Sequence, residues 1–342
     1  MINRIRILTA LARPSVVILL GLFAVTGLAT TGHSEDKVLV AKVLVVVLGF
    51  LLTSVVVNDL ADEAIDRVNL PDDVGRPLVA GSSTRREFLS IAVGAGATSL
   101  GMAALLGPRV LAVAVAGFVL SLSYSLRPVR LSDRGALASL LLPAGYVAVP
   151  FLVGVLSVRD SVAQADWILL GGLYVGFIGR ILLKDFRDVR GDALFGKRTF
   201  LVRYGRKCTC AISAVCWVIG LAALAGVRGV SFALVVSYVA HIAIALTLLR
   251  CLSVDRGPRR DESLVAAIAL AGRGMIVTVI AHLTLLASGS SVLVSAGVTA
   301  ALLVVTLGQV NAMVRNGPRT RLTVPIEWAA TEQAEPILTS QP

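Results

Sequence analysis

The chain has 342 residues, of which 56% are hydrophobic and only 15% are charged, and its mean hydropathy is +0.85. So few charged side chains cannot cover a soluble protein of this size, which excludes a soluble enzyme, a nucleic-acid-binding module and a disordered chain. The formal net charge of +11 therefore indicates a membrane partner, and we expect a protein that lies in a lipid bilayer and binds no nucleic acid.

Apolar runs long enough to cross a membrane occur ten times along the chain. A spanning helix needs about 20 mostly apolar residues. The runs are 15–32, 37–57, 88–106, 110–126, 136–157, 167–184, 208–227, 230–252, 264–287 and 291–313. We therefore predict an all-α, polytopic membrane bundle. Residues 1–314 would form this transmembrane domain, and the polar segment 315–342 would be a disordered cytoplasmic tail.

Basic residues predict how the bundle is oriented. With the amino terminus inside, 25 of the 32 lysines and arginines fall in segments on that side and five on the other. Lysine and arginine beside spanning helices are retained on the cytoplasmic side. We therefore expect a multi-pass protein, of a bacterial cell membrane, with cytoplasmic termini and cytoplasmic loops at 58–87 and 185–207. These two loops are longer than a helix hairpin requires.

Two acidic motifs open these long loops. The first motif is Asp59, Asp62 and Asp66, and the second repeats its spacing with Asp185, Asp188 and Asp192. Positions i, i+3 and i+7 lie on one stripe of a helix, so each triplet would project three carboxylates from one side of a continued helix. Such carboxylates repel one another unless a cation lies among them. Oxygen ligands favour Mg²⁺, which also takes phosphate oxygens, so the motifs predict a site for Mg²⁺ and a diphosphate.

Basic and aromatic side chains near the motifs are candidates for diphosphate binding. They are Arg67 and Arg76 in the first loop, Lys184 and Lys197 near the second, and Tyr124 and Arg130 after the fourth run. Alone, Tyr124 would fit an interfacial aromatic belt and Arg130 the positive-inside bias. Arg273 falls inside an apolar run, where a functional role and structural pairing are equally open.

These motifs resemble the signatures of the UbiA superfamily of intramembrane prenyltransferases. Asn58, Asp59, Asp62 and Asp66, followed by Arg76-Pro77 and Gly81, match the first signature, and Asp188 and Asp192 match the second. Tyr124 and Arg130 resemble the family's loop between helices four and five. The resemblance runs from about residue 15 to 287. It implies a central cavity capped by the acidic loops, and Mg²⁺-dependent transfer of an isoprenoid from a prenyl diphosphate to a lipophilic acceptor, with an aromatic acceptor favoured.

The resemblance also implies a role for each matching residue. The metal ligands would be Asp59, Asp62, Asp66, Asp185, Asp188 and Asp192. The substrate-binding residues would be Asn58, Arg67, Arg76, Tyr124, Arg130, Lys184 and Lys197. Asp66 and Asp192 are the candidates for taking the acceptor's proton. The family typically has nine spans, so we expect nine to ten.

Several functions stay open at this point. The run from Asp66 to Pro71 is similar to branches that alkylate homogentisate, chlorophyllide or glyceryl-phosphate lipids. A UbiA-type terpene cyclase or a polyprenyl-phosphate phosphoribosyltransferase would use a similar site. A secondary transporter is an alternative of another class, but carrier sites lie near the middle of the bilayer. The aspartates lie at the ends of predicted spans, which favours an enzyme. Prenyl length, acceptor and oligomeric state stay open.

Overall fold

Long α-helices form most of the chain that a computed structural model describes, namely residues 11, 13–69, 76–186 and 199–318. These residues contain no β-strand. The helices are α1 (Pro14–Thr31), α2 (Lys37–Ala61), α3 (Glu63–Asn69), α4 (Arg85–Leu106), α5 (Pro108–Ser125), α6 (Ala136–Pro143), α7 (Val149–Leu156), α8 (Gln164–Ile181), α9 (Phe200–Ile219), α10 (Phe232–Leu252), α11 (Pro258–Ala287) and α12 (Val292–Asn316). The all-α prediction is confirmed.

Within the described ranges, ten helical segments are long and apolar enough to cross a membrane. A π-helical turn, Ala144–Ala148, joins α6 to α7, and the two helices count as one span. The short α3 is not among the ten. A multi-pass membrane bundle is therefore confirmed, with the larger of the two expected helix counts. Most of the predicted tail 315–342 lies outside the described residues, so the division into domain and tail stays a prediction.

Two helices begin earlier than hydropathy predicts. Helical structure in α9 begins at Phe200 rather than 208, with a kink at Gly205 (φ 76°, ψ 171°) that separates its first five residues from the predicted run, and α11 begins at Pro258 rather than 264. The residues that hydropathy omits from these two helices include charged side chains, and an ion pair joins Arg206 of α9 to Asp261 of α11. A hydropathy scan omits such residues because charged residues lower the local average. Part of the predicted loop 185–207 is therefore helical, from Phe200 onward with a kink at Gly205.

The core has two parts that share α1 and α7. One part packs α1 and α7 against α2, α4 and α5, through residues such as Leu28, Val56 and Phe88. The other packs them against helices α8 to α12, through residues such as Phe151, Leu169 and Ile268. A cavity described below lies between these two parts, with walls from both.

Helices α1 and α7 cross in direct backbone contact. A Cβ atom on Gly154 would overlap the carbonyl oxygen of Ala24, and one on Gly27 would overlap the carbonyl oxygen of Phe151. Lipid provides no hydrophobic drive between helices, so close packing of small residues stabilises such crossings. The crossing joins the two parts of the core.

Replacing Gly154 with alanine is expected to destabilise the bundle, because the added methyl group meets backbone that cannot rotate away. Overpacking costs about 1–3 kcal/mol, measurable by SDS unfolding of the purified protein in dodecyl maltoside. Gly171 is the control, since a Cβ there meets nothing within 4 Å and alanine favours a helix over glycine. Equal stability of the two variants would contradict the predicted contact.

Candidate functional site

The first acidic motif lies where α2 ends. The helix stops at Ala61, and Asp62 takes non-helical angles (φ −100°, ψ 3°) before α3 begins at Glu63. The backbone N–H of Asp66 still donates to the carbonyl of Asp62, at 2.8 Å. The expectation of a continued helix is therefore wrong at Asp62. The break sets Asp66 on a separate short helix.

Arginines from distant segments bind all three carboxylates of this motif. Asp59 pairs with Arg13 at 2.8 Å and with Arg76 at 2.5 Å. Arg76 also pairs with Asp66 at 2.8 Å, so one guanidinium bridges two of the aspartates. Asp62 is bound by Arg130. We call these three aspartates with Arg13, Arg76 and Arg130 the carboxylate–arginine cluster.

Arg130 connects the loop after α5 to this cluster. Its Nη2 donates to Asp62 Oδ1 at 2.7 Å, and its Nε lies 2.8 Å from Asp133 Oδ2. The residue has a left-handed backbone (φ 33°), which is uncommon outside glycine and is found at functional sites. The structure thus brings Arg130 to the first motif, and its role in holding a diphosphate stays a prediction.

Repulsion among the three carboxylates is visible at Asp66. Burial raises the pKa of Asp66, Arg76 opposes this increase, and the charges of Asp59 and Asp62 raise the pKa further. Like charges raise the pKa of a carboxyl only when they are close. The three carboxylates therefore lie close enough to act on one another, and Arg13, Arg76 and Arg130 balance their charge.

The second motif begins differently from the first. Helix α8 ends at Ile181, and Asp185 lies in a 3-10 turn, Lys184–Phe186. Asp185 and Phe186 are buried, so the motif does not continue α8 and that expectation is also wrong. Asp188, Asp192 and Lys197 lie outside the described residues, so convergence of the two motifs stays a prediction.

A cavity of about 740 Å³ opens beside the cluster. Arg13, Asn58, Tyr124 and Lys184 form its polar mouth. The three aspartates of the first motif are not part of the wall. Arg13 belongs to both the wall and the cluster, which places the two side by side.

Most of the remaining wall is apolar. Leu19, Phe50 and Phe177 lie on it, and the π-helical turn supplies Gly145 and Tyr146. Tyr146 stacks on Phe177 with ring centroids 5.9 Å apart. A π-helical turn commonly marks a functional site, and hydropathy gave no sign of this one. The cavity therefore joins a polar mouth to a mostly apolar interior that also contains Arg273.

Two basic residues differ from expectation. Arg67 is exposed and pairs with Glu63 at 2.9 Å, a hydrogen bond that lowers the pKa of Glu63. Arg67 lines neither the cavity nor the cluster, so the structure does not place this predicted diphosphate ligand at the site. Arg13 was missed, because a basic residue before a first span looks like a positive-inside residue.

The donor set of the first motif fits Mg²⁺. Its carboxylate oxygens are hard ligands, and arginines supply the positive charge beside them in this structure. Among the described residues, no three acidic, histidine or cysteine side chains converge closely enough to hold a metal by themselves. Mg²⁺ commonly takes only one or two carboxylates together with water and substrate phosphates. Asp59, Asp62 and Asp66 are thus suited to such a partial ligand set.

Comparison with curated proteins gives relatives in lipid and pigment biosynthesis. The chain is 30% identical over 154 residues to the bacteriochlorophyll synthase 34 kDa chain of Chloroflexus aurantiacus, covering 45% of this chain and 48% of the relative. It is 32% identical over 168 residues to digeranylgeranylglyceryl phosphate synthase of Methanopyrus kandleri, covering 49% and 58%. The chain thus matches about half the length of these relatives.

Solved structures share the fold. A structure of digeranylgeranylglyceryl phosphate synthase matches with a TM-score of 0.64 at 17% identity, over 83% of this chain and 99% of that one. A UbiA homolog from Archaeoglobus fulgidus bound to DMAPP and Mg²⁺ matches with a TM-score of 0.58 at 17% identity, over 79% and 99%. At such identity the likeness concerns the fold alone. The model of the UbiA prenyltransferase family matches residues 17–271, three quarters of the chain, and this protein therefore belongs to the UbiA prenyltransferase family.

Proposed function

We propose that this protein transfers an isoprenoid chain from a prenyl diphosphate to a lipophilic acceptor in the membrane, with Mg²⁺ as cofactor. The observation that carries the proposal is that a carboxylate–arginine cluster borders the polar mouth of an apolar cavity. A prenyl diphosphate has the same division, with a charged head and an apolar tail. The cluster would receive the head and the cavity the tail.

The residues of the cluster and the mouth would hold the diphosphate. Asp59, Asp62 and Asp66 would bind Mg²⁺, which supplies positive charge to the leaving group. Arg76 and Arg130 now pair with these carboxylates and would turn toward the diphosphate oxygens as the carboxylates bind metal. Lys184 and Tyr124 would donate from the cavity wall. Such fixed donors stabilise charge that develops on a leaving group.

The reaction exchanges one bond for another. The C–O bond between the prenyl carbon and the diphosphate breaks, and its electron pair leaves on oxygen. The acceptor atom then bonds to that carbon and loses a proton. The candidate acceptors for that proton are a carboxylate oxygen of Asp66 that does not bind Mg²⁺ and the carboxylate of Asp192, which lies outside the described residues. Apolar walls such as Phe50 and Phe177 would keep water from the reacting carbon.

The site's position in the bundle bears on the other functions. The cluster lies at the end of α2 rather than midway along a helix, which supports an enzyme over a carrier. The same end carries most of the basic residues, so we place it on the cytoplasmic side. The acceptor is left to experiment, and the names of the relatives suggest a tetrapyrrole or a glyceryl phosphate lipid.

Membranes that contain the protein are expected to form prenylated product only when Mg²⁺, a prenyl diphosphate and an acceptor are all present. Geranyl, farnesyl and geranylgeranyl diphosphates would each be offered with homogentisate, chlorophyllide or a glyceryl-phosphate lipid, and products identified by mass spectrometry. EDTA should abolish the reaction, because the carboxylates would then face the diphosphate without metal. Excess Mg²⁺ should restore it.

Other products would identify the rival functions. A cyclised hydrocarbon formed without acceptor would indicate a cyclase. Pentose transfer to a polyprenyl phosphate would indicate a phosphoribosyltransferase. Full activity in EDTA would contradict the assignment of Mg²⁺, and membranes without the protein are the control.

A further inference from the structure

Arg273 places a positive charge in the interior of the bundle. It is the sixteenth of the 30 residues of α11, so about 20 Å of helix separates it from either end at a rise of 1.5 Å per residue. An arginine at the middle of a membrane is costly, and such residues generally serve a function or pair with an acid. We therefore expect Arg273 either to serve a function or to pair with an acidic group.

The side chain of Arg273 faces the cavity. Helix α11 contributes Glu262, Val265, Ala266, Ala269 and Arg273 to the wall, positions that form one helical stripe. Arg273 is the deepest of them. Glu262, at the mouth, lies about 16 Å away along the helix, too far for an ion pair. Arg273 thus lies near the cavity floor, opposite the mouth where the diphosphate would bind.

The described residues offer Arg273 no acidic partner. Its Nε donates to the carbonyl of Ala269 in its own helix, at 3.3 Å, and no carboxylate lies within ion-pair distance in the described ranges. The other charged residues of the wall are Arg13, Arg180 and Lys184, which are cations, and Glu262. The cavity is therefore positively charged along its length and not only at its mouth.

If a neutral molecule filled the cavity, the guanidinium of Arg273 would have neither water nor an opposite charge beside it. A buried guanidinium without a partner costs several kcal/mol, whereas an anionic oxygen beside it would be held by charge-assisted hydrogen bonds. We propose that Arg273 is the residue that binds the acidic group of the acceptor, a carboxylate or a phosphate. This inference rests on the proposed function. The acceptor would lie beside the prenyl tail in the cavity, with its acidic group toward the floor and its reacting atom toward the mouth.

Calorimetric titration of the purified full chain in dodecyl maltoside tests this without turnover. The probes are dodecyl phosphate and, as its uncharged equivalent, dodecanol, both in EDTA and without prenyl diphosphate. We expect Arg273→Gln to bind dodecyl phosphate roughly 10-fold to 100-fold more weakly, as expected for loss of hydrogen bonds to a charged group. Its affinity for dodecanol should not change. Arg273→Lys, which keeps the charge, should retain part of the preference.

Control variants distinguish anion binding at the cavity floor from anion binding elsewhere on the protein. Arg250→Gln removes an exposed arginine of α10 and should bind both probes as the wild type does. If Lys184→Met, but not Arg273→Gln, removes the preference for phosphate, the anion binds at the mouth and the proposal is wrong. The proposal is also wrong if only dioctanoyl phosphatidylglycerol depends on Arg273, since the site would then hold a membrane lipid. If dodecyl phosphate binds in an Arg273-dependent way but no prenyl transfer is observed, the proposed function is wrong and the anion site is still supported.

Discussion

Replacing Asp62 with alanine is expected to reduce prenyl transfer by roughly 100-fold to 1000-fold, the usual effect of removing one group that stabilises developing charge. Asp62 is the sharpest test of the first motif because its loss should spare the fold. Arg130 would still pair with Asp133 at 2.8 Å, and the Asp62 side chain is 21% exposed. Asp59, by contrast, binds two arginines and is buried, so its loss would confuse stability with catalysis.

The measurement is the rate of product formation at saturating Mg²⁺ and at several prenyl diphosphate concentrations. Asp62→Asn should be nearly as inactive as alanine, because the amide keeps the shape and loses the charge. Asp62→Glu should recover part of the rate. All variants should elute from a sizing column as the wild type does. An Asp62→Asn variant with wild-type turnover would show that this carboxylate takes no part in metal binding.

Glu63 offers a matched control at the next position. Its carboxylate binds Arg67 at 2.9 Å and Arg85 at 2.6 Å, and both arginines are exposed. Surface ion pairs contribute about 0–1 kcal/mol. Glu63→Ala should therefore keep its activity and its stability. A large loss of activity in Glu63→Ala would mean that any acidic residue at this break is required.

Hydropathy predicted the membrane fold well because the bilayer demands one property of every span. Each spanning segment must satisfy its own backbone and present apolar side chains, and this signal is local. The hydropathy scan missed contacts between residues that are far apart in the sequence. The early residues of α9 and α11 are joined by a contact between Arg206 and Asp261, which are 55 residues apart. A window along the chain cannot register such a pair.

The candidate site shows the same division between local and distant information. The aspartates and their spacing were evident from the sequence, since the motif is local. The partners were not, because Arg13 lies 46 residues from Asp59. Arg67 was predicted at the diphosphate site but pairs with Glu63 instead, for a local reason that the sequence does contain. It follows Glu63 by four residues, a spacing at which opposite charges on a helix pair with each other.

Arg206→Met is expected to destabilise the protein by about 3 kcal/mol, as is typical when one partner of a buried ion pair is removed. Arg206 donates two hydrogen bonds to Asp261, at 2.9 and 2.6 Å, and one to the carbonyl of Leu252. The Asp261 side chain is only 6% exposed. Without Arg206, this carboxylate would stay buried without a described partner. SDS unfolding in dodecyl maltoside measures the change.

The opposite variant should be less harmful. In Asp261→Leu, Arg206 can still approach Asp255, whose carboxylate lies 3.5 Å away and is exposed, and can keep its bond to Leu252. The double variant Arg206→Met with Asp261→Leu should recover most of the lost stability, because two apolar side chains replace both charges. If the double variant is as unstable as Arg206→Met, the loss does not come from the stranded carboxylate.

The arginine also connects this pair to the second acidic motif. Its guanidinium carbon lies 5.0 Å from the centre of the Phe186 ring, within the range of a cation–π contact, and Phe186 follows Asp185 directly. The double variant keeps an apolar core but loses this contact. We therefore expect it to be stable yet slower in prenyl transfer than the wild type, with a raised KM for the prenyl diphosphate. Wild-type kinetics in a stable double variant would show that Arg206 supports only the fold and does not position the second motif.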